Sequence, residues 1–213
     1  MPDKAQSGYG KVPPSLWHWL LRNPVVAVLS HWTFQSLLYM DTTERWFKIG
    51  LEVTFTLVLG ASLSLWLAWP LAGAAAFLLA HTLNFLFNGH LWGALKHYSL
   101  VAMTPEAFER HLRAILGRAQ REPAIRRILV GGGLARGQWT PASDVDVRFI
   151  RYAGGWNGLR ACWFALRERT RALFSGLALD TYVLDSETAL AGAGFQAEAY
   201  ERQFNQATDD QSQ

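Results

Sequence analysis

Apolar and polar positions in this chain follow two regimes. From Leu51 to Trp69, and again from Leu71 to Leu95, apolar residues run almost unbroken, whereas beyond Thr104 they alternate with polar ones at helical and then at strand spacing. At ~1.5 Å of rise per residue, either run could cross the ~30 Å hydrocarbon layer as a helix, so the first regime reads as a transmembrane hairpin. Pro70 and Gly73 sit where its tight turn is expected, and Trp66, Trp69 and Pro70 suit an interface that holds aromatic rings. Upstream, Asn23 and Pro24 open a helix as cap and first residue. The apolar segment that follows, to Met40, is short and broken by Ser30, His31 and Gln35, and reads as an interfacial helix. Asp41 and Glu44 have the spacing of a capping box that opens the first long helix.

In the second regime Thr104, Pro105 and Glu106 start a helix, with Phe108, Leu112, Ile115 and Leu116 inward and Arg110, Arg113, Arg118 and Arg121 outward. Ile128 to Val130 reads as a strand that runs into Gly131, Gly132 and Gly133. In an extended segment from Ser143 to Ile150, alternation puts Val145, Val147 and Phe149 on one face and Asp144, Asp146 and Arg148 on the other. A helix from about Trp156 to Phe174 and a strand from Leu177 to Val183 follow. The expected fold class is α+β: a small mixed β-sheet domain with flanking helices, preceded by an α-helical transmembrane hairpin. The chain divides into an interfacial segment (1–46), the hairpin (47–97), the sheet domain (104–202) and a polar, disordered tail (203–213).

Composition supports this division. Half of the 213 residues are hydrophobic and only 17% are charged, against roughly 25% in soluble domains. The net charge of +3 fits basic flanks facing anionic lipid as well as it fits a nucleic-acid binder, and no exposed aromatics interleave the arginines. Basic residues flank the hairpin, with Arg45 and Lys48 before it and Lys96, Arg110 and Arg113 after it. By the positive-inside tendency both ends lie in the cytoplasm, which makes the chain a multi-pass protein of the inner (cytoplasmic) membrane. The single cysteine, Cys162, excludes an internal disulfide and a cysteine-based zinc cluster. His81, Asn84 and Asn88 share a helix face, which serves helix–helix hydrogen bonding within the hairpin or between copies, or lines a polar pocket. Glu52 is a snorkelling interfacial group or a functional acid.

The chemistry concentrates after Val130. A strand that enters consecutive glycines makes a nest of backbone N–H groups suited to phosphate. Two carboxylates on one strand face repel each other unless a cation bridges them, and Mg²⁺ commonly binds through one or two carboxylates plus substrate phosphate. Gly132-Gly133-Leu134-Ala135-Arg136-Gly137, followed after six residues by Asp144-Val145-Asp146-Val147, resembles the signature of the DNA polymerase beta-type nucleotidyltransferase superfamily, in particular its minimal members. The resemblance covers roughly residues 104–190.

It implies transfer of a nucleoside monophosphate from an NTP, expected to be ATP, to an acceptor hydroxyl, with Mg²⁺ held by Asp144, Asp146 and a third carboxylate on a later strand. Asp180 is the candidate and Asp185 the runner-up. Gly132 and Gly133 would present backbone donors to phosphate, with Arg136 a phosphate contact or a brace, and Ser143 and Arg148 beside them. The family often has serine at the place of Gly133 and an apolar residue at that of Arg148. Ser143 has no His or Lys base at a useful spacing, so it reads as a loop-holding residue rather than a nucleophile. The acceptor implied by the anchor is membrane-associated. The alternative is a nucleotide-binding, antitoxin-like regulatory membrane protein of the same fold without turnover.

Overall fold

The computed structural model describes residues 23–37, 40–95, 104–131 and 145–187. The elements in chain order are α1 (Pro24–Phe34), α2 (Thr42–Leu63), α3 (Trp69–Phe87), α4 (His90–Leu95), α5 (Pro105–Ala119), β1 (Ile125–Gly131), β2 (Val145–Arg151), α6 (Gly155–Ser175) and β3 (Leu179–Leu184). The fold is α+β, with a three-stranded mixed sheet of order β1-β2-β3. β1 runs antiparallel to β2, and β3, reached through α6, runs parallel to β2.

The expected caps form at three helices. Asn23 accepts from Val25 N at 2.9 Å, Asp41 from Thr42 N at 2.8 Å and Thr104 from Ala107 N at 3.3 Å. The capping box does not close: Glu44 points away from its own helix start to accept from Val183 N at 2.7 Å and to pair with Arg169. The hairpin turn also lies elsewhere than expected. It falls before Trp69, and Pro70 belongs to the first turn of α3, where a fixed φ and a missing N–H do no harm. The second apolar run is split at Gly89, whose φ of 75° ends α3 and starts α4.

α2 and α3 are both long and apolar enough to cross a membrane. They approach closely because small residues line the contact: Ala72, Ala76 and Ala80 are buried, and Gly60 faces Ala76. Toward the base of the hairpin the contact becomes polar. Glu52 accepts from Asn84 at 2.9 Å and meets His81 Nδ1 at 2.7 Å, Asn88 donates to Asn84 at 2.6 Å, and Lys48 donates to Gln35 O at 3.0 Å and contacts His90 Nε2 at 2.8 Å. The polar stripe on α3 therefore bonds helix to helix within one hairpin, and Glu52 is held by it. Arg45 donates to the carbonyls of Leu37 and Met40 at 3.1 and 2.8 Å. Two of the cations that flank the hairpin in sequence are thus engaged by the protein.

The sheet domain has its own core. Val145, Val147, Phe149 and Val183 face a layer built by Phe108, Leu112, Ile115 and Leu116 of α5 and Ala161, Cys162, Phe164 and Ala165 of α6. Burial lifts the Cys162 thiol to about 12, so it is a packing residue. Phe47 packs against this same core, and α2 runs on into the hairpin from there. Buried at the junction, Arg169 of α6 pairs with Glu44 of α2, donates to Asn88 Oδ1 at 3.0 Å and donates to Thr181 O of β3. Replacing Glu44 with Gln leaves Arg169 buried without its counter-charge, so unfolding followed in detergent should show a loss of about 3–5 kcal/mol. A Cβ on Gly158 would lie 2.8 Å from Thr43 Cγ2. Gly158→Ala should therefore destabilise by about 1–3 kcal/mol. Adding Thr43→Ser, which keeps the hydroxyl and removes that methyl, should restore thermal stability.

Candidate functional site

The face of the sheet opposite the helix layer carries the chemistry. Its alternation follows the sequence: Val145, Val147 and Phe149 are buried on the helix side, while Asp146 and Arg148 point to the other. In the parallel register of β2 and β3, Asp146 pairs with Asp180 and Arg148 with Tyr182. Gly131, the last residue of β1, stands across from Asp146. Two carboxylates from separate strands and the end of the strand that enters the glycine run are thereby gathered at one edge of the sheet. Gly132, Gly133, Arg136, Ser143 and Asp144 lie outside the described residues.

Arg148 bridges this face. Its guanidinium donates to Asp180 Oδ2 at 3.2 Å and to the Asp180 carbonyl at 2.9 Å, and lies 4.6 Å from the centre of the Tyr182 ring. Burial opposes the charge on Arg148, but Asp180 and then Asp146 more than offset it and hold its pKa above the ordinary arginine value. The Tyr182 phenol is pushed up, by burial first and then by Asp180, and stays protonated at neutral pH. Below the carboxylates this face closes into a small apolar cluster of Leu129, Ile150 and Leu184 with Tyr182 packed against it. The carboxylates stand at its polar margin, and Asp180 keeps 39% of its side chain exposed.

Asp185 follows β3 and bonds to the start of α2. Its carboxylate accepts from Arg151 Nε at 2.7 Å and from Thr43 N at 3.2 Å, capping the start of α2 from across the fold. Asp41 returns the contact by accepting from Asp185 N at 2.9 Å. Of the two candidate third acids, Asp180 adjoins Asp146 in the sheet, and Asp185 joins the sheet to the hairpin.

The arginine stripe of α5 is partly structural. Arg118 makes a two-pronged pair with Glu168 at 2.8 and 2.6 Å, and Arg171 pairs with the same acid. These residues line a groove beside His111 that is separate from the carboxylate face, and its two arginines share the one buried carboxylate of Glu168.

The donor chemistry at the carboxylate face suits a hard cation, since Asp146 and Asp180 offer only oxygen. Among the described residues no group of three His, Cys, Asp or Glu side chains converges. Sequence reasoning missed Tyr182, which differs in no local signal from any strand aromatic. It also missed the junction cluster of Glu44, Lys48, Asn88 and Arg169, for which the four-residue spacing of Glu44, Lys48 and Glu52 in an otherwise apolar helix was the available sign. No family model, curated protein or solved structure matches the chain.

Asp185 also sets a pH dependence. Partial burial opposes its charge, but hydrogen bonds from Thr43 and Arg151 more than offset this and its pKa lies below the ordinary value. A carboxylate depressed on folding contributes its stability in full above the unfolded value of ~3.9 and loses it as pH falls through the folded one. Stability should therefore drop in that acid window, and Asp185→Asn, being less stable at neutral pH, should show a shallower acid decline in thermal unfolding scans.

Proposed function

We propose that the chain is a membrane-anchored, Mg²⁺-dependent nucleotidyltransferase that moves a nucleoside monophosphate from an NTP, in the first instance ATP, to an acceptor hydroxyl. The observation that carries this is the in-register pairing of Asp146 with Asp180 beside the end of β1. Together with the glycine run and the Asp-x-Asp spacing, it is the arrangement that the nucleotidyltransferase resemblance calls for. Asp146 and Asp180, with Asp144 from the sequence, would hold Mg²⁺, which when bound supplies positive charge to the triphosphate and to the departing pyrophosphate. Gly132 and Gly133 would present backbone N–H groups to phosphate, with Arg136 and Ser143 nearby. Asp180 would accept a hydrogen bond from the acceptor hydroxyl and take its proton. Arg148 orients Asp180 by donating to its carboxylate and to its main-chain carbonyl. By the positive-inside tendency both ends of the hairpin would lie on the cytoplasmic side of the inner membrane, which favours an acceptor that is itself at the membrane; copies of the chain would associate through the hairpin.

A second reading, a nucleotide-binding regulatory protein of antitoxin-like type without turnover, is favoured by one observation. A fixed guanidinium already neutralises Asp180. Purified protein with labelled ATP, Mg²⁺ and membrane extract discriminates the two. Under the transferase reading the label moves to an acceptor, and Asp146→Asn or Asp180→Asn lowers transfer by at least about 100-fold in protein that still unfolds cooperatively, with Asp180→Asn also lowering the unfolding temperature because it removes a counter-charge of buried Arg148. Nucleotide binding without transfer supports the regulatory role. Neither binding nor transfer overturns both.

A further inference from the structure

The hairpin is long enough to cross a bilayer only if all of α2 and α3 is available to lipid, and the structure commits much of both helices elsewhere. At the base of α2, Asp41 and Thr43 bond Asp185, Glu44 bonds the backbone of β3, and Phe47 packs into the sheet-domain core. At the base of α3, the Phe87 carbonyl accepts from Thr170, Asn88 meets Arg169, and just beyond it Trp92 donates to Leu173 O at 2.7 Å. The polar contacts of Lys48, Glu52, His81 and Asn84 occupy the next turns. What projects free is residues 53–63 and 69–80, a stretch of both helices without a single charged residue. At ~1.5 Å per residue these arms reach about 16–18 Å, roughly half of a ~30 Å hydrocarbon layer.

The end of the arm presents aromatic and apolar side chains to its surroundings. Trp66 and Trp69 are 85% and 82% exposed, and Leu65 80%. The amides of Ser64, Leu65, Trp66 and Leu67 each donate to a carbonyl of Gly60, Ser62 or Leu63. The hydroxyls of Ser62 and Ser64 donate to Val58 O and Ala61 O. These groups of the turn are satisfied internally, as a dry environment favours, while the start of α3 carries no side-chain cap. At the other end of the arm, exposed Val25, Leu29 and Phe34 of α1 and Trp46 of α2 add an apolar collar, with Trp32 of α1 donating to Thr82 at 3.2 Å beside His81.

We infer that the hairpin enters a single leaflet, with its turn among the acyl chains, so that the protein is monotopic rather than spanning. The occupant of the exposed apolar arm is lipid of the leaflet next to the sheet domain.

Single-cysteine variants in a Cys162→Ala background test this in sealed vesicles of both orientations, with a membrane-impermeant maleimide: Trp66→Cys, or Leu65→Cys if the first does not fold, at the turn, and Arg113→Cys as the reporter on the sheet domain. A thiol in hydrocarbon does not ionise and does not react. Arg113→Cys should label from one face only, and the turn cysteine from neither face until detergent dissolves the bilayer. Labelling of the turn from the face opposite to Arg113→Cys means a full span and overturns the inference. Labelling from the same face means that the arm is not inserted, and overturns it together with the anchor. Transfer chemistry is read separately at Asp146, so neither result bears on it.

Discussion

The buried pair between Glu44 and Arg169 is the constraint on which the rest of the structure depends. Both side chains are out of water, and a charge placed there is tolerated only when paired and fully hydrogen-bonded. Each finds its remaining partners on a different element: Glu44 takes the Val183 N–H, and Arg169 gives protons to the Thr181 carbonyl and to Asn88. One ion pair thus fixes the first turns of α2, the end of α3, the middle of α6 and the backbone of β3. Apolar packing could hold these elements together but would not set their axial register, whereas hydrogen bonds to main-chain groups do. Asp185, Thr43, Arg151 and Asp41 repeat the arrangement at the edge of the same junction.

The same logic governs the carboxylate face. Asp146 and Asp180 stand side by side in register, and like charges on adjacent strands repel. Arg148 settles this locally, lying between Asp180 and the Tyr182 ring. An internal cation has two consequences for chemistry at this face. It holds the Asp180 side chain in place, and it lowers the negative charge that a metal would meet.

Much of the architecture was legible in the sequence because it rests on local rules. Caps at Asn23 and Thr104 and the β2 alternation follow from spacing and side-chain type, whereas the adjoining of Asp180 to Asp146 was an expectation of the nucleotidyltransferase resemblance. Where reading failed, a long-range partner overrode a local preference. Glu44 had the spacing of a capping box, but a buried arginine 125 residues away is the stronger partner. Pro70 looked like a turn residue, yet proline serves equally at the start of a helix, and the chain reversal needed only the residues before Trp69. Lys48 looked like a flanking charge, and nothing local announces that Gln35 and His90 would enclose it. Gly132, Gly133 and Asp144 carry the clearest chemical signature in the chain, and they fall outside the described residues.

Anchor and site share one strand. On β3, Asp180 belongs to the carboxylate face, the Thr181 carbonyl is held by Arg169, Tyr182 supports Arg148, and the Val183 N–H is held by Glu44 from the hairpin. Side chains of this strand alternate between the two faces, so the contacts that fix the hairpin grip the backbone on both sides of Tyr182 while the acid projects the other way. A tilt of α2 large enough to move Glu44 would break its hydrogen bond from the Val183 N–H and strip buried Arg169 of its counter-charge before it displaced the helix. The apolar arm and the carboxylate face are therefore coupled through one strand, and under the proposed single-leaflet insertion the depth of the arm would set the height of Asp146 and Asp180 above the membrane surface. For the proposed membrane-associated acceptor, that height would constrain reach.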